Sequence, residues 1–300
     1  MSATFPLIPR RRVLGLAFGG LHSQRRGQGS DVAGSRPYQP GDDVKRIDWY
    51  ASARLSLGRG SDEFVVREHY AEEAPRVVVL CDRRPSMGVF DDSWPWLSKP
   101  EAIRAAVRLI SDSAVAARGL LGYLDHAEGN GTFWRPPRSE SELGRLDLDR
   151  PFAAPENTIA RGLRDLMEHR RDLPAGTFLF VVSDFLERPS RDEWIAALER
   201  RWEIVPVVVR DPIWEQSFPD VGGVVVPYAD PETGRRVGVG LTGKEARARR
   251  RENEAAWADL LRTLRALDME PVLVGSHEWR DVLYAFLTWA DQRLLSRGRA

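Results

Sequence analysis

The chain has 300 residues, of which 42% are hydrophobic and 29% are charged, and its 44 basic residues equal its 44 acidic ones. This length and composition are typical of one large globular domain with a smaller attachment, and they exclude a disordered chain. The balance of charge excludes the broad positive field on which most nucleic-acid binding depends. We therefore expect no nucleic-acid partner.

Cysteine and histidine usage narrows the chemistry further. Cys81 is the only cysteine, so the chain can form neither an intrachain disulfide nor a thiolate metal cluster, and it suits a reducing compartment. The five histidines are scattered without the spacing of zinc ligands. The sequence thus predicts a cytoplasmic protein without zinc chemistry.

Residues 1–30 are rich in arginine and glycine and are predicted to form a partly ordered arm. Within it, Arg10-Arg11-Arg12 and the apolar run Val13–Leu21 resemble the start of an export signal. Glycines interrupt the run, no cleavage site follows it, and about 20 apolar residues are needed to span a bilayer. We expect no stable membrane insertion.

Residues 31–74 are predicted to form a small β-rich attachment. Its elements are a turn at Pro40-Gly41, a short helix around Val44 to Ala53 and a strand around Glu63 to His69.

Residues 75–300 alternate short apolar runs with amphipathic stretches, which is the pattern of βαβ units. Strands are predicted at 77–81, 120–124, 177–182, 204–209 and 271–274, with a short edge strand at 132–134. Helices are predicted at 99–118, 158–171, 191–201, 244–267 and 277–295. A hairpin is inserted at about 211–240. The fold class is therefore α/β, with a doubly wound, mostly parallel sheet.

Two acidic residues follow predicted strands of this domain. Asp82 comes directly after the strand at 77–81, and Asp184 follows the strand at 177–182. In open α/β sheets, ligands bind outside the carboxyl ends of the strands, where the strand order reverses. If the two strands are neighbours, the carboxylates face each other and need a cation, a proton or an arginine between them.

The order of elements, with Glu156-Asn157-Thr158 opening a helix and Ser183-Asp184 ending a later strand, resembles the von Willebrand factor A fold. The metal ion-dependent adhesion site of that fold uses an Asp-x-Ser-x-Ser motif, a threonine and a second aspartate. Carried over to this chain, its positions are Asp82, Arg84, Ser86, Thr158 and Asp184. The resemblance implies a site for a hard ion such as Mg²⁺, with an open position for the carboxylate of a partner protein.

Arg84 departs from this pattern, because the family has a serine there. Its guanidinium has a fixed positive charge and five donors, so it can bridge Asp82 and Asp184 in place of an ion. We therefore expect a degenerate site that binds Mg²⁺ weakly or not at all, and no other cofactor. The alternative is a buried ion-pair network that only holds loops together.

A segment near the N-terminus carries a more specific resemblance. The residues Arg36-Pro37-Tyr38-Gln39-Pro40-Gly41-Asp42-Asp43-Val44-Lys45-Arg46-Ile47-Asp48-Trp49, followed by Arg54, closely resemble the hallmark of domain-of-unknown-function family 58. Members of that family carry a von Willebrand factor A-like domain and are commonly paired with MoxR-type AAA+ ATPases. The resemblance implies such an ATPase as the protein partner, and an adaptor role in a chaperone-like or assembly process.

The hallmark segment also has a direct physical interpretation. Asp42 or Asp43 can cap the helix that follows the turn, while Ile47 and Trp49 can anchor the segment to the main core. Capping and turn formation explain most of its residues as a structural clasp. The other interpretation is a docking surface.

Two basic signals are weaker. Residues 238–244 have the glycine and lysine spacing of a phosphate-binding loop, but Glu245 replaces the required serine or threonine and repels phosphate. Lys244 to Arg251 is a basic run on a predicted helix, interpreted as a solvated face because Glu252 and Glu254 follow it. A contact with an acidic partner or nucleic acid is the alternative.

The sequence contains no convincing catalytic constellation. Ser183 lacks the preceding glycine of a nucleophile elbow, and no histidine falls in a triad pattern. We therefore interpret the chain as a non-enzymatic protein-interaction module. The alternative is a metal-dependent hydrolase acting through Asp82 and Asp184, which are a minimal constellation for that chemistry.

Overall fold

The computed structural model describes residues 3–10, 22–39, 42–59, 63–72, 74–88, 96–129, 131–138, 148–169, 171–229 and 236–297. The chain divides into an N-terminal unit, residues 10–75, and a main unit, which comprises residues 1–9 and 76–300. The boundary predicted after residue 74 thus lies after residue 75. None of the helices in the described ranges is long and apolar enough to cross a membrane.

The N-terminal unit, in its described residues, contains a two-stranded antiparallel sheet and one α-helix. Its elements are β1 (His22–Pro37), a 3-10 turn (Val44–Arg46), α1 (Trp49–Arg59) and β2 (Val65–Glu72). The single helix predicted at 44–53 is therefore wrong. Asp48 separates the turn from α1, because its side chain accepts a hydrogen bond from the Ala51 amide at 3.0 Å and so caps the new helix.

Several hallmark residues bond to one another within this unit. The Asp43 side chain caps the 3-10 turn by accepting from the amide two residues later at 3.0 Å, while Asp42 pairs with Arg36 at 2.6 Å. Trp49 is not the buried anchor that the sequence predicted. Its side chain is 61% exposed, and its ring lies edge-on to Phe64 with 5.9 Å between centroids.

The remaining hallmark residues also act locally. Ile47 forms an isolated antiparallel bridge to β2, and the Arg54 guanidinium lies over the Tyr50 ring, 5.9 Å from its centroid. Pro40 and Gly41, the predicted turn, lie outside the described residues. The described part of the hallmark thus stabilises the turn and the helix of its own unit.

The main unit contains a six-stranded sheet and a separate hairpin. Its strands are β3 (Arg76–Cys81), β4 (Leu120–Asp125), β5 (Phe133–Arg138), β6 (Phe178–Ser183), β7 (Glu203–Val209), β8 (Val224–Ala229), β9 (Arg236–Leu241) and β10 (Val272–Val274). The sheet order is β10-β7-β6-β3-β4-β5, and every neighbouring pair is parallel except β4 and β5. The α/β class and the mostly parallel sheet are confirmed.

The described part of the main unit also contains five α-helices. They are α2 (Lys99–Ala116), α3 (Thr158–Glu168), α4 (Arg191–Glu199), α5 (Gly243–Ala266) and α6 (Trp279–Arg297). Capping boxes begin two of them, with Ser190 and Glu193 at α4 and Thr242 and Glu245 at α5. The glutamate that is incompatible with a phosphate-binding loop is therefore a capping residue.

The sheet separates two apolar layers. On one face, Leu163 of α3, Trp194 of α4 and Leu264 of α5 join a buried cluster with β3 and β6. On the other face, Phe286 of α6 lies 6.2 Å from Phe180 of β6 between ring centroids. Because both faces are covered, the strands are continuous apolar runs in the sequence.

Residues 3–9 contribute to the second layer. Phe5 is 3% exposed, and its ring centroid lies 4.6 Å from that of Phe286 and 5.9 Å from that of Trp289. The Phe5 amide donates a hydrogen bond to the Ser113 hydroxyl at 3.0 Å. The start of the chain is thus part of the main core.

Two segments of the arm predicted at residues 1–30 have defined places in the structure. Residues 3–9 are packed because burial of the phenylalanine ring offsets the entropy lost on ordering a short segment. Residues 22–30 belong to β1, which pairs with β2. The apolar run Val13–Leu21 lies outside the described residues.

The insertion predicted at about 211–240 contains the hairpin of β8 and β9. These strands pair antiparallel from Val224 with Leu241 to Ala229 with Arg236. Residues 211–223 form turns and irregular structure instead, so the hairpin is shorter than predicted. Its predicted turn, within 230–235, lies outside the described residues.

Candidate functional site

β3 and β6 are neighbours at the point where the strand order reverses, since β4 lies on the other side of β3. Cys81 pairs with Val182, so Asp82 and Asp184 follow adjacent strands at one edge of the sheet. Both aspartates are 0% exposed. This edge is where open α/β sheets bind ligands.

Arg84 lies between the two carboxylates. Its Nη2 atom is 2.6 Å from Oδ2 of Asp82 and 2.9 Å from Oδ1 of Asp184, and its Nη1 atom is 3.2 Å from Oε2 of Glu187. The Arg84 amide and the Ser183 hydroxyl also donate hydrogen bonds to Asp82, at 2.9 and 2.7 Å. The two buried carboxylates are therefore bonded from within the chain.

Lys99, the first residue of α2, adds a second buried positive charge. Its Nζ atom is 3.2 Å from Asp184 and 2.6 Å from Glu215. Burial opposes the charge of Lys99, but the two carboxylates outweigh burial and raise its pKa above the usual value. Burial likewise opposes ionisation of Asp184, but Lys99 and Arg84 outweigh it and hold its pKa below the usual value.

The surface over this network is nearly closed. A cavity of about 10 Å³ lies beside Arg84, with Thr158 and Glu187 among its lining residues. Glu187 covers it, accepting from the Asn157 amide at 2.7 Å and from Arg84 at 3.2 Å. Such a cavity is close to the size of a single water molecule.

The two hydroxyl residues carried over from the adhesion site lie at the border of the network. Thr158 begins α3, and its hydroxyl bonds to Nδ1 of His126 at 3.0 Å, while Nε2 of that histidine bonds to Asp165 at 3.0 Å. The Ser86 hydroxyl is buried and has no hydrogen-bond partner among the described residues. The structure thus joins Asp82, Arg84 and Asp184 directly, whereas the hydroxyls of Thr158 and Ser86 bond to none of these three residues.

Comparison with known proteins identifies the family of the chain. The family model described as "Protein of unknown function DUF58" matches residues 34–259. The chain belongs to the DUF58 family. The match contains the whole hallmark segment and extends into α5, so the family predicted from that segment is confirmed. The von Willebrand factor A-like classification stays a prediction.

Relatives of this DUF58 chain include two mycobacterial proteins. The uncharacterized proteins Rv1480 of Mycobacterium tuberculosis and Mb1516 of Mycobacterium bovis are 26% identical to it over 280 residues, covering 87% of this chain and 80% of each relative. Neither the family nor these relatives indicate a catalytic class.

Two solved structures are also similar. An aerotolerance-related membrane protein from Bacteroides fragilis matches 73% of this chain and 99% of its own, with 13% identity and a TM-score of 0.44. The conserved hypothetical protein BatB from Bacteroides thetaiotaomicron matches 65% of this chain and 98% of its own, with 14% identity and a TM-score of 0.40.

The network of the DUF58 chain contains three charged residues that the sequence did not single out. Lys99 stands at the first position of a helix, where the helix dipole disfavours a cation, and this is the signal that a carboxylate lies nearby. Glu187 and Glu215 follow β6 and β7 by a few residues, in loops that meet at the carboxyl edge of the sheet. Acidic residues in such loops are therefore expected near the strand ends.

Proposed function

We propose that this DUF58 chain is a non-enzymatic adaptor with a von Willebrand factor A-like domain, which binds a partner protein over the loops that follow β3, β6 and β7. The observation that carries the proposal is the bridge of Arg84 between Asp82 and Asp184. The guanidinium of Arg84 offsets the negative charges of the two aspartates, so the carboxyl ends of these strands do not need an ion. On this proposal, Mg²⁺ binds weakly or not at all, because the guanidinium already holds both carboxylates.

Apolar side chains at the same edge support a protein partner. Leu186, in the loop after β6, is 54% exposed, and Ile213, in the loop after β7, is 41% exposed. Exposed apolar side chains in loops at the same edge of the sheet could form the apolar centre of a protein interface, with the charged groups of the network at its margin.

The proposed partner is a MoxR-type AAA+ ATPase, as the hallmark resemblance implies, and the proposed role is chaperone-like or in assembly. Tagged protein should retain the purified ATPase of the same cell in the presence of nucleotide. Combined Leu186→Asp and Ile213→Asp should abolish retention, because two charges would be buried against the partner. Leu295→Asp, at a residue 72% exposed on α6, is the control and should retain it.

Failure of the wild-type protein to retain the ATPase would remove the partner assignment. Retention that is equal in the edge variant and in the Leu295 control would instead remove the proposed binding edge.

A metal-dependent hydrolase acting through Asp82 and Asp184 is the competing proposal. Access argues against it, since both side chains are 0% exposed and bonded to Arg84. Wild-type protein given generic phosphate esters with Mg²⁺ or Mn²⁺ should show no turnover. Turnover that Asp82→Asn abolishes would establish the enzyme instead.

Thr158, His126 and Asp165 are connected in the order of a nucleophile, a base and an orienting carboxylate. Thr158 is only 1% exposed, and the cavity beside it, of about 10 Å³, cannot hold a substrate. We assign this chain of bonds to the positioning of α3 against β4.

We propose a cytoplasmic location, on the basis of the single cysteine and the glycine-broken run Val13–Leu21. The packing of Phe5 supports it, because cleavage after that run would remove a core residue. Cell fractionation should recover the full-length chain with the cytoplasm. A shortened chain in the periplasm or medium would contradict the proposal.

A further inference from the structure

The first half of α5 carries a charged surface that the proposed function does not use. From Arg236 to Arg251 the sequence has six basic residues and one acidic residue, Glu245, in a chain without net charge. The Glu245 carboxylate is committed to the capping box, where the Thr242 amide and hydroxyl donate to it at 2.8 and 2.7 Å. These hydrogen bonds lower the pKa of Glu245.

Three of the basic residues form one stripe. Lys244, Arg247 and Arg251 are three and four residues apart, so they share a face of α5, and all three are exposed. None of the three forms an ion pair with an acidic side chain in the described part of the chain. Arg249 and Arg250 instead pair with glutamates of the next turn, at 4.0 and 3.5 Å.

The stripe is unfavourable for its own helix. Like charges three and four residues apart repel each other, and Lys244 lies in the first turn, where the helix dipole disfavours a cation. The first turn of α4 also carries a cation, Arg191, but there Asp192 and Glu193 follow it, and the dipole favours both of these residues. The repulsion within the stripe is relieved when an external anionic group binds to it.

Exposed valines lie close to the stripe. β9 runs into α5 through one residue, and a Cβ atom on Gly222 would lie 3.1 Å from Cα of Gly243, so the base of the hairpin contacts the start of the helix. Val237 and Val239 project from one face of β9 and are 46% and 38% exposed. Exposed basic side chains of α5 and exposed apolar side chains of β9 therefore lie in consecutive elements that contact each other.

We propose that this surface binds an acidic amphipathic segment of a partner protein. Its carboxylates pair with Lys244, Arg247 and Arg251, which span about 10 Å of helix at a rise of about 1.5 Å per residue. Its apolar side chains cover Val237 and Val239. A short stripe beside aliphatic side chains favours a protein over nucleic acid, which needs an extended positive field. The inference goes beyond the proposed function and does not rest on it.

The test uses the full chain and a fluorescently labelled helical peptide with glutamate on one face and leucine on the other. Fluorescence anisotropy should show binding that weakens with salt. Combined Lys244→Gln, Arg247→Gln and Arg251→Gln should weaken binding about tenfold or more, the size expected for three exposed ion pairs. The same variant should melt no lower than wild type, because the repulsion within the stripe is gone.

The matched control replaces three exposed arginines outside the stripe, Arg191, Arg200 and Arg280, with glutamine, which removes the same charge. This control should bind the peptide as wild type does. Combined Val237→Ser and Val239→Ser should also weaken binding, because apolar contact is lost.

Three results would overturn the proposal. One is the absence of peptide binding by wild-type protein, and another is an equal loss of binding in the control. The third is stripe-dependent binding to phosphatidylserine vesicles or duplex DNA without binding to the peptide, which would assign the stripe to a membrane surface or to nucleic acid.

Discussion

At the residue scale, a network of buried charges lies at the carboxyl ends of β3 and β6, and its members pair with one another. Arg84 bonds to Asp82 and Asp184, and Lys99 bonds to Asp184 and Glu215. The attraction between the charges of such a network does little more than offset the free-energy cost of removing them from water. Removal of one member, however, leaves its partner as an uncompensated buried charge. Single substitutions here therefore have large effects that depend on what replaces the lost charge.

Arg84→Ser is expected to create measurable Mg²⁺ affinity, because it removes the competing charge and supplies a hydroxyl ligand. Lys99 still bonds to Asp184, so adding Lys99→Met should strengthen Mg²⁺ binding further. Isothermal titration calorimetry measures the affinity. Thermal melts with and without Mg²⁺ should show stabilisation of the variants only, because the ion binds the folded state.

Arg84→Ala is the control for this prediction. It lacks the hydroxyl ligand, so it should be less stable than Arg84→Ser when Mg²⁺ is present. Micromolar binding of Mg²⁺ by wild-type protein, or no gain of affinity in Arg84→Ser, would show that Arg84 does not control the site.

Asp184→Asn is expected to reduce the free energy of unfolding by about 3–5 kcal/mol at pH 7, because Lys99 and Arg84 lose a shared partner. The folded protein holds the pKa of Asp184 below its unfolded value of about 3.9. The stabilisation is therefore present above that value and is lost as pH falls toward the folded pKa. Urea denaturation at pH 7 and pH 3 should show the variant and wild type converging at the lower pH.

The exposed Asp172→Asn is the matched control and should change the free energy of unfolding by less than about 0.5 kcal/mol at either pH. A difference between Asp184→Asn and wild type that is unchanged at pH 3 would contradict the assigned role of the carboxylate.

Part of this network could be predicted from the sequence. The meeting of Asp82 and Asp184 follows from two parallel strands that end at the same edge. The position of Lys99 at the start of a helix is a signal in the sequence, but its contact with Asp184 could not be predicted, because it depends on where α2 starts relative to the sheet. Thr158 turns to His126, and nothing in the sequence marked that histidine as its neighbour.

At the scale of elements, α3 depends on close approach to the sheet. A Cβ atom on Gly162 would lie 2.4 Å from Cδ1 of Leu80 and 3.3 Å from Cδ2 of Leu124. Gly162→Ala should therefore destabilise the protein by about 1–2 kcal/mol, since crowding outweighs the better helix propensity of alanine. Thermal or urea denaturation measures the loss.

Gly58→Ala is the matched substitution in α1. No atom lies within 4 Å of the added Cβ there, so it should be neutral or stabilise by up to about 1 kcal/mol. Equal effects at the two glycines would contradict the packing argument.

Elements with strong local signals were predictable. The main strands were apolar runs covered on both faces, and capping residues began α4 and α5 where the helical periodicity started. The prediction of one helix at 44–53 was wrong because a single residue within that range, Asp48, caps a new helix. The packing of residues 3–9 could not be predicted from periodicity, since it depends on the burial of a single side chain, that of Phe5.

At the scale of the whole molecule, residues 3–9 belong to the main core although the N-terminal unit separates them from it in sequence. Phe5→Ala should lower the free energy of unfolding of the main unit by about 3 kcal/mol, and Phe5→Leu by about 1 kcal/mol. Deletion of residues 1–9 should cost at least as much as Phe5→Ala, because Arg293 also loses its hydrogen bond to the Ile8 carbonyl. Hydrogen exchange of α6 reports the change, and unaltered protection in Phe5→Ala would contradict it.

The packing of Phe5 against Phe286 and Trp289 also bears on the order in which the chain folds during synthesis. Phe5 leaves the ribosome long before the rings of Phe286 and Trp289 that cover it. The N-terminal unit can complete its sheet as soon as β2 has emerged, whereas the layer around α6 closes only after α6 has emerged. Until then Phe5 is an exposed apolar side chain on a nascent chain, available to a ribosome-associated chaperone.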